Sequence, residues 1–318
     1  MTRLVALLLA ALALAFPLSL LAGRVWIDPF DPQVTNAALI LGELRLPRAV
    51  LAVIVGAGLG TAGAAMQGYL RNPLADPGLF GIAPAAALGA VLSLFLGLTA
   101  PLALPLFALI GAAGAMALLG LVAGRHGSVL LFTLAGMMIA SLAGALMSLA
   151  ISLSPTPFAM SEIVTWLMGA LSDRSWREVW IAAPLTLAGI ACLMATGRDL
   201  DALTLGESAA RSLGMEPRRL QALVVVGVGL TVGASVAVAG IIGFVGLMVP
   251  HFVRPFTDRR PSSLLLPSAL AGALLLLIAD CLCRIAPGAA ELRLGIALSL
   301  LGAPFFLQLL LRLRRELV

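Results

Sequence analysis

The sequence predicts an all-α polytopic membrane protein of about ten transmembrane helices, a span taking about 20 apolar residues. Three observations carry that prediction. Hydrophobic residues make up 61% of the 318 positions and charged residues only 11%, whereas a soluble globular domain carries about 25% charged residues. Mean hydropathy is +1.10, and apolar runs of spanning length recur along nearly the whole chain. All 20 basic residues are arginine, and they fall unequally on alternate connections, as in chains whose orientation is set by loop charge. The net charge of +5 belongs to those connections and gives no reason to invoke nucleic acid.

Taken in order, the first run is Met1 to Ala22. It exceeds a typical signal-peptide core and has no small-x-small cleavage site before Arg24, so it is read as a true span. A loop rich in Asp28, Pro29, Asp31 and Pro32 follows. Further runs lie at 49–69, 78–98, 101–123, 129–153, 179–196, 220–239, 241–256, 263–283 and 294–311. The run at 241–256 is short and interrupted by Pro250, so a straight crossing is not predicted there.

Gly197 to Arg219 is the longest polar stretch. Thr204 with Glu207 three residues on fits a capping box, Gly214 fits the position after a helix, and Pro217 prevents continuation. A short helix is predicted, with Leu205, Ala209 and Leu213 on one face and Glu207, Ser208, Arg211 and Ser212 on the other.

Counting arginines orients the chain. With the N-terminus inside, Arg3, Arg71, Arg125, Arg198, Arg211, Arg218, Arg219, Arg254, Arg259, Arg260, Arg312, Arg314 and Arg315 face the cytoplasm. Arg24, Arg45, Arg48, Arg174, Arg177, Arg284 and Arg293 face outward, so both termini are expected inside. There is also an internal echo: Pro47-Arg48 and the run behind it resemble Pro217-Arg218 and theirs, with Thr61/Thr231, Gly63/Gly233 and Ala64/Ala234 in register. Either the chain is an inverted repeat, or small-residue bias in membrane helices produces the likeness.

Residues for chemistry are few. Asp280 and Arg284 can pair on one helix face, either as a local salt bridge or with the arginine free to dock a partner. His251 beside Pro250 is read as structural, and His126 in a short turn as incidental. Cys192, Cys281 and Cys283 lack metal or disulfide spacing, so no metal site is predicted. The apolar runs hold almost no acids away from their ends, which argues against ion coupling. A P-loop requires a lysine, and the chain has none. Any ATP and magnesium must therefore be handled by another chain, and no cofactor or enzymatic activity is assigned to this one.

Several stretches carry a resemblance: RLPR (Arg45–Arg48), MQGYLRNPLADPGLFG (Met66–Gly81), LGESAARSLG (Leu205–Gly214), GFVGLMVPHFVR (Gly243–Arg254) and the closing LGAPFF. Together they resemble, in order and over nearly the whole chain, the FecCD/BtuC family. Its members are permease subunits of type II ABC importers for iron–siderophore, haem and cobalamin uptake. The resemblance implies a single permease domain over 1–318 in the bacterial inner membrane. It also implies a second permease copy, two cytoplasmic ATPase subunits and a periplasmic binding protein as partners.

The resemblance further implies a coupling segment at about 197–219, with Leu205, Gly206, Glu207, Ala209, Ala210, Arg211, Leu213 and Gly214 meeting the ATPase. Arg45, Arg48 and Arg284 are implied as an outer patch receiving the binding protein. The pathway is expected near Met137, Met138, Ser141 and Leu142, and near Val249, Pro250 and His251. Two departures stand out: Glu291-Leu292-Arg293-Leu294-Gly295 replaces the usual Glu-x-Pro-x-Gly, and Pro84 takes a place relatives give to a small polar residue or Gly. The alternative reading is an ion-coupled secondary transporter built on the inverted repeat. A non-transporting membrane scaffold is the third.

Overall fold

The computed structural model describes residues 2–23, 26, 36–123, 129–287 and 291–316. The Asp- and Pro-rich loop, Arg24, Arg125 and His126 lie outside the described residues. Helix α1 (Thr2–Leu21) is the first span. A single turn, α2 (Ala37–Leu39), passes through a π-helical segment at Ile40–Arg45 into α3 (Leu46–Tyr69). Then come α4 (Ile82–Phe95), α5 (Ala103–Ala123), α6 (Val129–Ser152), α7 (Pro157–Leu167) and α8 (Trp176–Ala195). The short pair α9 (Gly197–Leu203) and α10 (Glu207–Ser212) leads to α11 (Pro217–Ala239), α12 (Val245–Val253), α13 (Pro261–Ile285) and α14 (Leu294–Glu316).

Eight of these helices are long and apolar enough to cross a membrane. The other two predicted runs are shorter than the sequence suggested. α4 has 14 residues because Asp76 accepts a hydrogen bond from the Gly78 N–H at 2.8 Å and caps a 3-10 turn at Pro77–Phe80. Gly81 follows in the left-handed region, and only then does the helix start. Pro84 falls in the first turn of α4, where no intrahelical N–H is needed. α12 has 9 residues and takes Pro250 inside it. Helix α7 is an addition to the predicted runs; Thr156 caps it by accepting from the Ala159 N–H at 3.1 Å, with Pro157 at the first helical position.

Composition does not say which span is central, since lipid is as apolar as a core. Packing does: α3 and α11 are each 78% buried along their most apolar window, α13 is 61% buried, and α1 only 6%. α3 and α13 run antiparallel at very close range. A Cβ built on Gly56 would overlap the Gly272 carbonyl, and one on Gly60 the Ser268 carbonyl. Glycine at these positions lets two backbones touch, replacing side-chain interdigitation with backbone contact. α3 and α11, the two copies of the echo, both carry a proline in the first turn, Pro47 and Pro217, and run in opposite directions. Thr61 donates to the Ala57 carbonyl and Thr231 to the Gly227 carbonyl, each a buried back-bond one turn long.

Among the described residues, the arginines that line cavities or make side-chain contacts gather at two ends. One end, the Arg48 end, gathers Arg45, Arg48, Arg284 and Arg293, with Arg177 on the same rim beside Trp176, whose indole donates to the Gly42 carbonyl at 3.1 Å. At the other, the Arg254 end, Arg71, Arg254, Arg259 and Arg260 surround the α9–α10 corner.

Candidate functional site

The α9–α10 corner is held from below before it offers anything outward. Asp201 in α9 accepts from the Ser262 N–H at 2.9 Å and from its hydroxyl at 2.5 Å, tying the corner to the first turn of α13. Gly197 packs against Ser262. Ala210 is fully buried, and Met215 folds under α10 with its N–H on the Ala210 carbonyl at 3.0 Å. Leu205 and Leu213 are instead 65% and 67% exposed. They border a groove of about 600 Å³ whose other wall is Asp258, Arg259, Arg260 and Pro261. Two exposed leucines at the rim of a polar-walled groove, on a corner pinned to a central helix, form a lever with an unpartnered apolar tip.

The predicted capping box is corrected. Thr204 donates to the Asp201 carbonyl at 2.7 Å and does not cap α10. Gly206, at φ 96°, occupies the N-cap, and Glu207 pairs with Arg211 one turn on. Leu205 therefore lies ahead of the helix, not on a face shared with Ala209. Gly214, at φ 90°, ends the segment as predicted, in a conformation that residues with a Cβ rarely adopt. Ala210 is removed from the set expected to meet an ATPase, because its side chain is used up inside the chain.

At the opposite end, Asp280 is 1% exposed and held between two arginines. Arg48 reaches it from α3 at 2.9 Å and Arg284 from one turn along α13 at 3.2 Å. The same Arg48 pairs with Glu291 at 2.9 Å. Arg45 donates to the carbonyls of Leu20 and Leu21 at 2.8 and 2.7 Å, and Arg284 to that of Ala22 at 3.3 Å. The last carbonyls of α1 are thereby capped by cations, as a helix C-terminus favours. This clasp joins α1, α3 and α13. It corrects the expectation of three exposed docking arginines, since Arg48 and Arg284 are 11% and 5% exposed and already bound to carboxylates. Of the two readings open for Asp280 and Arg284, the local salt bridge is formed.

The departure at 291–295 is accommodated locally. Arg293 donates to the Ser172 hydroxyl at 3.3 Å, and the Gly295 N–H donates to the Gly169 carbonyl at 3.1 Å. Met137, Met138, Ser141 and Leu142 share an exposed face of α6. Val249 and Pro250 are buried, so they cannot line an open path in this arrangement; His251 lies edge-on to Phe305, with ring centroids 5.3 Å apart. Arg71, Arg254 and Arg259 received no role from the sequence beyond their side, because a count of charges cannot show that they share a cavity.

A family model described as the FecCD transport family matches residues 6–312. The chain belongs to that family. Among its relatives is the vitamin B12 import system permease protein BtuC of Salmonella paratyphi A (strain ATCC 9150 / SARB42), 41% identical over 309 residues, covering 95% of this chain and 93% of the relative. The protein of the same description from Escherichia coli O9:H4 (strain HS) is 40% identical over the same coverage. A solved structure described as an inward-facing conformation of a metal-chelate type ABC transporter superposes with a TM-score of 0.90 at 32% identity, over 98% of this chain and all of that one. PsaBC of Streptococcus pneumoniae, at TM-score 0.53 and 18% identity over 82% of this chain and 88% of that one, shares the fold alone. As a FecCD-family chain, the protein is a multi-span membrane subunit of BtuC-like fold.

Proposed function

We propose that this FecCD-family chain is the permease subunit of an ATP-driven importer in the bacterial inner membrane, moving a bulky metal chelate by alternating access. The observation that carries the reading is the pinned α9–α10 corner with its two exposed leucines. Leu205, Gly206, Glu207, Ala209, Arg211, Leu213 and Gly214 would seat in a groove of a separate ATPase chain. The Asp201–Ser262 bonds would then pass the ATPase's movement to α13. The Arg254 end is taken as cytoplasmic with both termini, and the Arg48 end as periplasmic. There a binding protein would meet Arg45, with Arg48 and Arg284 holding that arginine's surroundings in place. A second copy would complete the path, the exposed α6 face around Met137, Met138, Ser141 and Leu142 contributing to its lining.

Cobalamin is the cargo to test first, supported by the 41% identity to BtuC proteins over nearly both full lengths. Ferric siderophores and haem follow, supported by the likeness to a metal-chelate transporter. The test is uptake into proteoliposomes holding the permease, its co-purifying ATPase and the binding protein, with labelled cobalamin, ferric siderophore and haem offered in turn. ATP-dependent, vanadate-sensitive accumulation of one of them is the expected result. Uptake that persists without ATP and collapses with a protonophore would establish secondary transport in its place.

A further inference from the structure

The Arg254 end holds a second concavity beside the groove of the α9–α10 corner, about 230 Å³ in volume, with Arg71, Arg254 and Arg259 in its lining and no acidic residue. Among the described residues these three arginines form no ion pair, although Arg48, Arg177, Arg211, Arg260 and Arg284 all do. Burial and the neighbouring Arg259 both depress the Arg254 guanidinium below its ordinary value. Its position is nonetheless fixed: Nη2 donates to Gln67 Oε1 at 2.6 Å, and the Gln67 amide donates in turn to the Leu247 carbonyl at 3.3 Å. Arg254 Nε is buried and lacks a hydrogen-bond partner. A buried donor left unmade is costly, and a cluster of like charges in a concavity favours an anion.

The backbone adds an independent sign. Arg71 and Arg259 have φ of 49° and 64°, in the left-handed region. Arg71 closes α3 in a Schellman motif, its N–H on the Gly68 carbonyl and the Asn72 N–H on that of Gln67. Glycine is the usual residue at such a position, and a side chain there costs about 1 kcal/mol. Two arginines hold this conformation in the lining of one cavity, where glycine would be easier for the chain.

We propose that this cavity is a binding site for a phosphate group. Three guanidinium groups together with the Asn72 amide offer more donors than the two oxygens of a carboxylate can take, while a phosphate accepts on three or four oxygens. Phe252 and Phe256, two positions either side of Arg254 in the chain, are 48% and 68% exposed. The phosphate can come from an anionic phospholipid headgroup or from solution.

The isolated permease in detergent, without ATPase or binding protein, is sufficient for the test, so failure here leaves the importer reading untouched. Thermal unfolding is followed while inorganic phosphate, chloride or acetate is added at matched ionic strength. In parallel, the permease is placed in nanodiscs of phosphatidylcholine with or without phosphatidylglycerol. Phosphate is expected to raise the midpoint where chloride and acetate do not, and Arg259→Gln to weaken phosphate binding about tenfold or more. Arg71→Gly, which relieves the backbone while removing the guanidinium, is expected to raise basal stability yet weaken phosphate binding, an outcome no folding defect imitates. Stabilisation by phosphatidylglycerol that Arg259→Gln abolishes assigns the headgroup as source; stabilisation by phosphate alone assigns the soluble ion. Equal stabilisation by acetate would make the cavity a receptor for a partner's carboxylate and overturn the proposal. So would a phosphate response unchanged in Arg259→Gln, or no response to either phosphate source.

Discussion

The two ends of the molecule both gather arginines and use them oppositely. At the Arg48 end, Arg48 and Arg284 converge on the buried Asp280, while Arg45 and Arg284 cap the carbonyls of α1. At the Arg254 end, Arg71, Arg254 and Arg259 line a cavity with no carboxylate in its wall, beside a corner that projects two leucines. Charge at the first end closes the fold on itself. At the second it remains open to something the chain does not contain. Loop charge alone therefore does not identify a docking surface; what decides is whether the chain supplies the counter-ion.

The strongest way to break this contrast is to remove the counter-ion of the clasp. Asp280→Ala leaves the buried Arg284 without a carboxylate and Arg48 with Glu291 alone, and is expected to cost about 3–5 kcal/mol, seen as a lowered unfolding midpoint in detergent and reduced membrane yield. Little change would mean that Glu291 suffices for Arg48 and water for Arg284, and that the clasp is not structural. Next in size is the contact that runs between the ends. Gly60→Leu forces a side chain into the Ser268 carbonyl and should cost about 1–3 kcal/mol by the same assay, more than Gly114→Leu, whose Cβ meets nothing.

At the open end the effect should appear in binding and not in stability. Leu213→Asp is expected to weaken ATPase association by about 2 kcal/mol, roughly thirtyfold. Its unfolding midpoint should stay within the small range of surface substitutions. A midpoint falling as far as that of Asp280→Ala would show Leu213 to be part of the core and the contrast false. Smallest of all is Glu207→Gln. It breaks the pair with Arg211, but the two side chains are 45% and 54% exposed, so solvent screening leaves a change of at most about 0.5 kcal/mol.

Much of the fold was legible because spans write themselves in runs of apolar residues: the predicted runs coincide with α1, α3, α5, α6, α8, α11, α13 and α14 to within a few residues at most of their ends. Short helices were less legible. α4 lost its first residues to a turn capped by Asp76, and α7 was missed although Thr156-Pro157 is a recognisable helix start. The corner was located by its polarity and by Gly214, yet its cap was misplaced. Thr204 and Glu207 have capping-box spacing, but Gly206 between them can take the positive φ that the sharp entry demands.

The sequence by itself determined the membrane class, the approximate number of spans, the division of arginines between two ends and the place of the corner. Each of these depends on composition or on spacing along one segment. Only the tertiary structure decided that Arg48 and Arg284 are occupied, that Ala210, Val249 and Pro250 face inward, and that Arg71, Arg254 and Arg259 share a cavity. The reason is physical. Whether a charge is neutralised depends on residues far away in the chain, Arg48 and Asp280 being 232 positions apart, and no local pattern encodes that distance.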